Sequence, residues 1–168
     1  MSTLHKKLVF LEPRKIGFET YEGRKKIKPN EIKVKTLFSE ISHGTEMAGY
    51  RGEAPFLNKQ FDKLNRLFIK SEKPDWKYPM ESGYANVGVV TEVGREVKNI
   101  SKGDKVFAYV SHRTDYIIEE NNVIKLPENI SSEYGIFTAL LTISFNGILD
   151  AQINLGETIA IFGLGVIG

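Results

Sequence analysis

Residues 158–168 read Thr-Ile-Ala-Ile-Phe-Gly-Leu-Gly-Val-Ile-Gly, "TIAIFGLGVIG". Residues 158–162 form a short apolar run rich in β-branched side chains, which predicts a strand. Gly163, Gly165 and Gly168 follow at the spacing G-x-G-x-x-G. After a strand, that spacing normally opens a helix whose N-terminal amides hold a pyrophosphate. The sequence ends at Gly168, before any such helix. Either the pattern is accidental, or it opens a dinucleotide-binding unit most of which is missing, and the chain is truncated.

Working back from this stretch, the chain is strand-rich. Residues 7–11 are a short apolar strand broken by Pro13, and residues 15–21 are a second. Residues 31–38 alternate polar and apolar as a half-buried strand does. "SEISHGTEMAGYRG" (39–52) is a polar, glycine-bearing functional loop. In residues 53–80, Phe56, Phe61, Leu64, Leu67 and Phe68 are placed to line one face of a helix, with Pro74 and Pro79 in loops. "GYANVGVVTEVG" (83–94) predicts a long strand. Gly103-Asp104 predicts a tight turn into another, and residues 114–127 predict two short strands around Asn121-Asn122. Ser131 or Ser132 is placed to cap a helix with Glu133 in its first turn. Residues 134–149 then read as a largely buried helix weakened near Gly147. Many strands, one helix and a strand with a glycine fingerprint predict a mainly β body joined to the start of a βαβ fold.

A chain of 168 residues can bury a sizeable core. No run is long and apolar enough to cross a bilayer, and the first seven residues hold no signal-peptide core, so no membrane association is expected. The absence of cysteine removes disulfides and thiolate metal sites and fits a cytoplasmic protein. A net charge of +2 does not point to nucleic acid. The basic run Arg24, Lys25, Lys26, Lys28, Lys33 and Lys35 carries no interleaved aromatics and is read as a solvated turn and strand face, so no nucleic-acid partner is expected.

Four pieces, in this order, resemble the medium-chain dehydrogenase/reductase superfamily, the zinc-type alcohol dehydrogenases and their zinc-free relatives. "ISHGTEM" resembles the family's Cys-Gly-Thr-Asp catalytic loop. "GYANVGVVTEVG" resembles Gly-His-Glu-x-x-Gly-x-Val-x-x-Val-Gly. "GDKVFAYV" resembles the Gly-Asp-x-Val strand, and "GETIAIFGLGVIG" resembles the start of the cofactor domain. The resemblance implies a GroES-like β-barrel catalytic domain over residues 1–130. It is followed, over residues 131–168, by a connecting helix and the first strand of a truncated Rossmann α/β domain. The implied activity is NAD(P)-dependent hydride transfer on a small-molecule alcohol, carbonyl or enone.

The departures from the family pattern bear on zinc. The thiolate position holds His43, the imidazole position Tyr84, the adjacent acid position Ala85, and the third-ligand region falls near Thr138. One histidine stands where three ligands are needed, so catalytic zinc is not expected, and without cysteine neither is the structural zinc loop. This pattern is most similar to a zinc-free, bacteriochlorophyllide dehydrogenase-like branch.

The resemblance places His43, Thr45 and Tyr84 around one cleft as catalytic candidates, with His43 as acid/base and Thr45 bonding the substrate oxygen. The family's relay histidine position holds Ala48. Tyr84 is alternatively a packing residue. Glu46 is either a partner of His43 or an exposed acid. Arg51 binds an anionic substrate or, more readily, closes a salt bridge. Thr142 contacts the nicotinamide or bonds back to its own helix. Gly163, Gly165 and Gly168 are the cofactor-binding candidates, for NAD or NADP without distinction. Phe56, Phe61, Phe68, Trp76 and Tyr78 wall a pocket or fill the core. A homodimer formed through an exposed apolar edge is also expected. The reading of a different class is a non-catalytic GroES-like binding module.

Overall fold

The computed structural model describes residues 4–24 and 26–168; Lys25 of the basic run lies outside the described residues. The central sheet is antiparallel, five-stranded and curled. It contains β3 (Glu31–Ser39), β7 (Asn86–Val93), β8 (Lys105–Ala108), β9 (Asp115–Glu119) and β10 (Val123–Lys125), in the order β10-β8-β7-β3-β9. A three-stranded sheet of β2 (Lys15–Tyr21), β1 (His5–Glu12) and β6 (Met80–Glu81), in that order, stands beside it. The fold is mainly β and GroES-like, as the sequence predicts.

The two-residue period explains why the central strands are apolar on both faces. On β8, Val106 and Ala108 enter a cluster with Ile32, Val34, Val90, Ile100 and Tyr116. Phe107, between them, enters a second cluster with Ala85, Val87, Leu126, Ile136 and Ala139. Ile32, Val34, Val87, Val106 and Phe107 are fully buried. Each contributes roughly 1.5–3 kcal/mol by leaving water. The predicted turn at Gly103 has φ +95°, a conformation suited to glycine.

The two sheets meet along residues 112–115. The Leu8 amide donates to the His112 carbonyl at 2.9 Å, and the Thr114 amide to the Lys6 carbonyl at 2.9 Å. His112 is thereby fixed at the seam between the sheets.

Three expectations are corrected. Residues 53–80 form no helix. They fold as a short 3-10 turn, Pro55–Leu57, and a hairpin of β4 (Lys59–Asp62) and β5 (Leu67–Lys70). The Asp62 carboxylate accepts the amides of Leu64 (2.9 Å) and Asn65 (3.2 Å) and closes the turn. Phe61 then sits opposite Phe68, with ring centroids 5.0 Å apart. Aromatic spacing that fits a helical face serves here as a cross-strand pair.

The predicted helix is broken in two: α2 (Ser132–Gly135), capped by the Ser131 side chain, and α3 (Thr138–Ala151). Of α3 only Ala139 and Leu140 are buried, while Leu141, Phe145 and Ile148 are more than half exposed. The Ser144 hydroxyl of α3 donates to the Ile167 carbonyl at 2.9 Å. Residues 158–162 form no strand, because a strand needs a hydrogen-bonded neighbour and none of the described residues runs alongside. No helix among the described residues is long and apolar enough to cross a membrane.

Candidate active site

The polar loop after β3 turns into a short helix, α1 (Thr45–Arg51). The Ser42 hydroxyl accepts the Thr45 amide at 3.3 Å, while the Glu46 carboxylate reaches back to accept the Ser42 amide at 2.8 Å. This reciprocal pairing works like a capping box. It turns the Glu46 side chain inward, toward the loop that follows β6 and the seam carrying His112. The helix ends on Gly52 at φ +78°.

Glu46 is the centre of the site. It is only 6% exposed. Its Oε2 accepts the Ser82 hydroxyl at 2.6 Å and lies 2.7 Å from His112 Nε2, and Ser82 and His112 are themselves buried. Burial pushes the Glu46 carboxyl up, but the bonds from His112, the Ser42 amide and Ser82 outweigh it and hold the group below its ordinary value. Glu46 is therefore a carboxylate that accepts only, so both Ser82 and His112 Nε2 donate to it. Gly83 makes this packing possible. Its φ is +95°, and a Cβ there would meet the His112 backbone nitrogen at 2.7 Å and its ring at 2.8 Å. Nearby, one oxygen of Glu40 is buried without a partner, and burial together with the charge of Glu46 raises the Glu40 pKa.

Thr45, Glu46, Ser82, Gly83 and Tyr84 line one side of an open cleft of about 420 Å³. Phe10, Gly49, Trp76 and Met80 supply apolar walls, and Asp75, Lys77 and Glu81 a charged margin. Trp76 is held by the hydrogen bond its backbone amide donates to the Phe56 carbonyl (3.1 Å) and by the Phe56 ring, with centroids 4.8 Å apart. The volume and the mix of apolar walls with a few convergent polar groups are those of a small-molecule site.

The structure thus brings Thr45, Glu46 and Tyr84 together. His43 is exposed and does not line the cleft. Arg51 is paired with Glu53 at 2.8 Å, away from the cleft. Both expected roles of Glu46 are corrected: it is neither exposed nor a partner of His43, but buried on His112. The Thr142 hydroxyl bonds back to the Thr138 carbonyl at 2.8 Å. Gly163, Gly165 and Gly168 are exposed and precede no helix. Sequence reasoning missed Ser82 and His112. No motif marks either one; the one available signal was the Ser42–Glu46 spacing, which turns that acid inward.

The family pattern implies two groups, a zinc ion and a dinucleotide. Among the described residues no three His, Asp or Glu side chains converge, His43 is exposed, and Glu46 and His112 are engaged with each other. These donors do not fit a three-ligand zinc site. The glycine run forms no strand-turn-helix cradle, so the described residues do not by themselves fit a dinucleotide pyrophosphate.

No family model matches the chain. It is similar to D-guloside 3-dehydrogenase of Escherichia coli K12, with 30% identity over 171 residues, covering 97% of this chain and 48% of that protein. It is also similar to NADP-dependent isopropanol dehydrogenase of Thermoanaerobacter brockii, at 28% over 127 residues, covering 74% of this chain and 35% of that one. The structure of 2R,3R-butanediol dehydrogenase from Bacillus subtilis superposes with a TM-score of 0.72 at 20% identity, covering 97% of this chain and 52% of that chain. The chain spans about half the length of the curated relatives it matches most fully. The fold is a GroES-like barrel with an open cleft beside the loop that precedes α1. The chain belongs to the medium-chain dehydrogenase/reductase superfamily, among the alcohol dehydrogenase-like oxidoreductases.

Proposed function

We propose that the chain is the substrate-facing part of an NAD(P)-dependent oxidoreductase that transfers hydride between the nicotinamide and an alcohol/carbonyl, or alternatively an enone, substrate, without catalytic zinc. The observation that carries this reading is the convergence of Thr45, Ser82 and Tyr84 on one cleft beside Trp76. Three hydroxyl-bearing residues in a largely apolar cleft can fix a substrate oxygen. The names of the relatives, a guloside and an isopropanol dehydrogenase, support a hydroxyl-bearing small molecule as substrate. Their shared property is a secondary alcohol.

NAD or NADP supplies or accepts the hydride when bound. This chain's residues hold the substrate. Thr45, at the first turn of α1, and Tyr84, packed on the second core cluster, line the cleft with their hydroxyl-bearing side chains. Trp76 and Phe10 exclude water from the carbon skeleton. Cytoplasmic location and a homodimer belong to this reading as well.

The test is reduction of acetone, acetoin and a 3-ketoglycoside with NADH and with NADPH, following cofactor absorbance, by this chain joined to the dinucleotide-binding domain that the reading assigns to the whole enzyme. Reduction by one cofactor, lowered at least tenfold by Thr45→Val with the fold intact, supports the reading. No turnover with either cofactor and no binding of any of these compounds leaves the chain as a non-catalytic binding module.

A further inference from the structure

Glu46 constrains Ser82 in a way that reaches into the cleft. A serine hydroxyl has one proton to donate and two lone pairs to accept with. The Ser82 proton is committed to Glu46 Oε2 at 2.6 Å. Glu46 in turn cannot return a proton, because its carboxylate already accepts from Ser82, from His112 Nε2 at 2.7 Å and from the Ser42 amide at 2.8 Å. Gly83 lies beside the His112 ring, close enough that a Cβ there would meet it at 2.8 Å. The orientation of the whole cluster is therefore fixed in one sense, with all three donors pointing at the buried carboxylate.

We infer that Ser82 is a fixed hydrogen-bond acceptor in the cleft, and that it selects ligands presenting a hydroxyl proton over the corresponding carbonyl compounds at that position. Glu46 and His112 are positioning residues for it. The inference rests on the reading of the cleft as a substrate site. The atoms left to a ligand at Ser82 are lone pairs. An alcohol donates to them, whereas a ketone places two acceptors face to face and leaves its own oxygen unpaired. A polyol meets the same rule through any one of its hydroxyls, which suits substrates with several.

The experiment uses the 168-residue chain and needs no cofactor. Trp76 is the sole tryptophan and lines the cleft, so its fluorescence reports occupancy. Cyclohexanol and cyclohexanone, alike in shape, are titrated near neutral pH into the wild type, Ser82→Ala and Glu46→Gln. The wild type is expected to bind the alcohol about tenfold more tightly than the ketone, the scale of one well-made hydrogen bond against one unmade. Ser82→Ala is expected to bind both about equally. In Glu46→Gln the side-chain amide donates where the carboxylate accepted. Ser82 then turns its proton toward the cleft, and the preference shifts toward the ketone. That reversal is a readout that a merely structural role would not produce. Circular dichroism of each variant establishes that the fold is kept.

Equal binding of alcohol and ketone by the wild type, or a preference that survives Ser82→Ala, overturns the inference and leaves the cleft as a small-molecule site. Failure of both probes to bind overturns the inference and the reading of the cleft together.

Discussion

Glu46 and His112 lie 66 positions apart in sequence and meet at 2.7 Å in the interior, one from the first turn of α1 and one from the seam between the two sheets. The pair ties α1 and the loop before it to the barrel. Breaking a buried pair from one side leaves the other group without its partner, and the cost is large. Glu46→Ala strands His112, Ser82 and the Ser42 amide at once and is expected to lower unfolding free energy by about 2–4 kcal/mol. His112→Ala leaves Glu46 two donors and should cost less. Urea unfolding of both variants checks the order, and a loss below about 0.5 kcal/mol for Glu46→Ala would show that the cluster contributes nothing.

Gly83 is predicted to be intolerant of any side chain. A Cβ at φ +95° is strained in itself, and here it would collide with both the backbone and the ring of His112. Gly83→Ala should lower stability by about 2 kcal/mol or more, lowering the thermal midpoint. Gly103→Ala has the same φ but open space around it, so it should cost only the backbone term. The difference between the two variants measures the contact with His112.

Stability should depend on acid in a defined direction. For Glu46 and Glu81 burial raises the pKa but is outweighed, by His112, Ser42 and Ser82 in the first case and by Lys7, Ser111 and Arg113 in the second, so both folded values lie below the ordinary 4.5. A depressed folded pKa gives stability that is present above the unfolded value and lost as pH falls through the folded one. Unfolding free energy should therefore hold down to about pH 4.5 and decline below it. Glu40 has the opposite sign. Its pKa is raised by burial and by the charge of Glu46, so its ionisation costs stability near neutral pH. Glu40→Gln should stabilise the protein there by about 0.5 kcal/mol, and a destabilisation of that size would contradict the assignment.

Arg51 separates structure from substrate. Its ion pair with Glu53 is solvent-exposed, and such pairs contribute roughly 0–1 kcal/mol. Arg51→Ala should change unfolding free energy by less than about 0.5 kcal/mol and leave alcohol binding at Trp76 unchanged. A tenfold loss of binding would put the guanidinium in the site after all.

Much of the barrel was legible in the sequence, for a physical reason. Val34, Val90, Val106 and Phe107 follow the two-residue period of strands buried on one or both faces, and Gly103-Asp104 marks its turn locally. Thr45, Glu46 and Tyr84, which line the cleft, were singled out because short motifs carry them. The hairpin was missed because Phe56, Phe61 and Phe68 fit a helical face as well as a strand pair, and the Asp62 turn decides between them. The buried cluster was half legible. Glu46 stood in a motif, but Ser82 and His112 reach it by folding alone, across separations of 36 and 66 residues that no local pattern records. The apolar residues of α3 read as buried, and residues 158–162 as a strand, because hydrophobicity reports what a segment can bury or pair, not what lies beside it.

The central claim, that the cleft between α1 and the 75–84 loop receives an alcohol, is tested most directly by mapping 2,3-butanediol binding on the 15N-labelled chain by NMR. The account predicts saturable shifts at the amides of Thr45, Gly49, Gly83 and Tyr84 and at the Trp76 indole, with His43 and Arg51 unmoved. Saturable shifts centred on any other surface, or none at all, would contradict it.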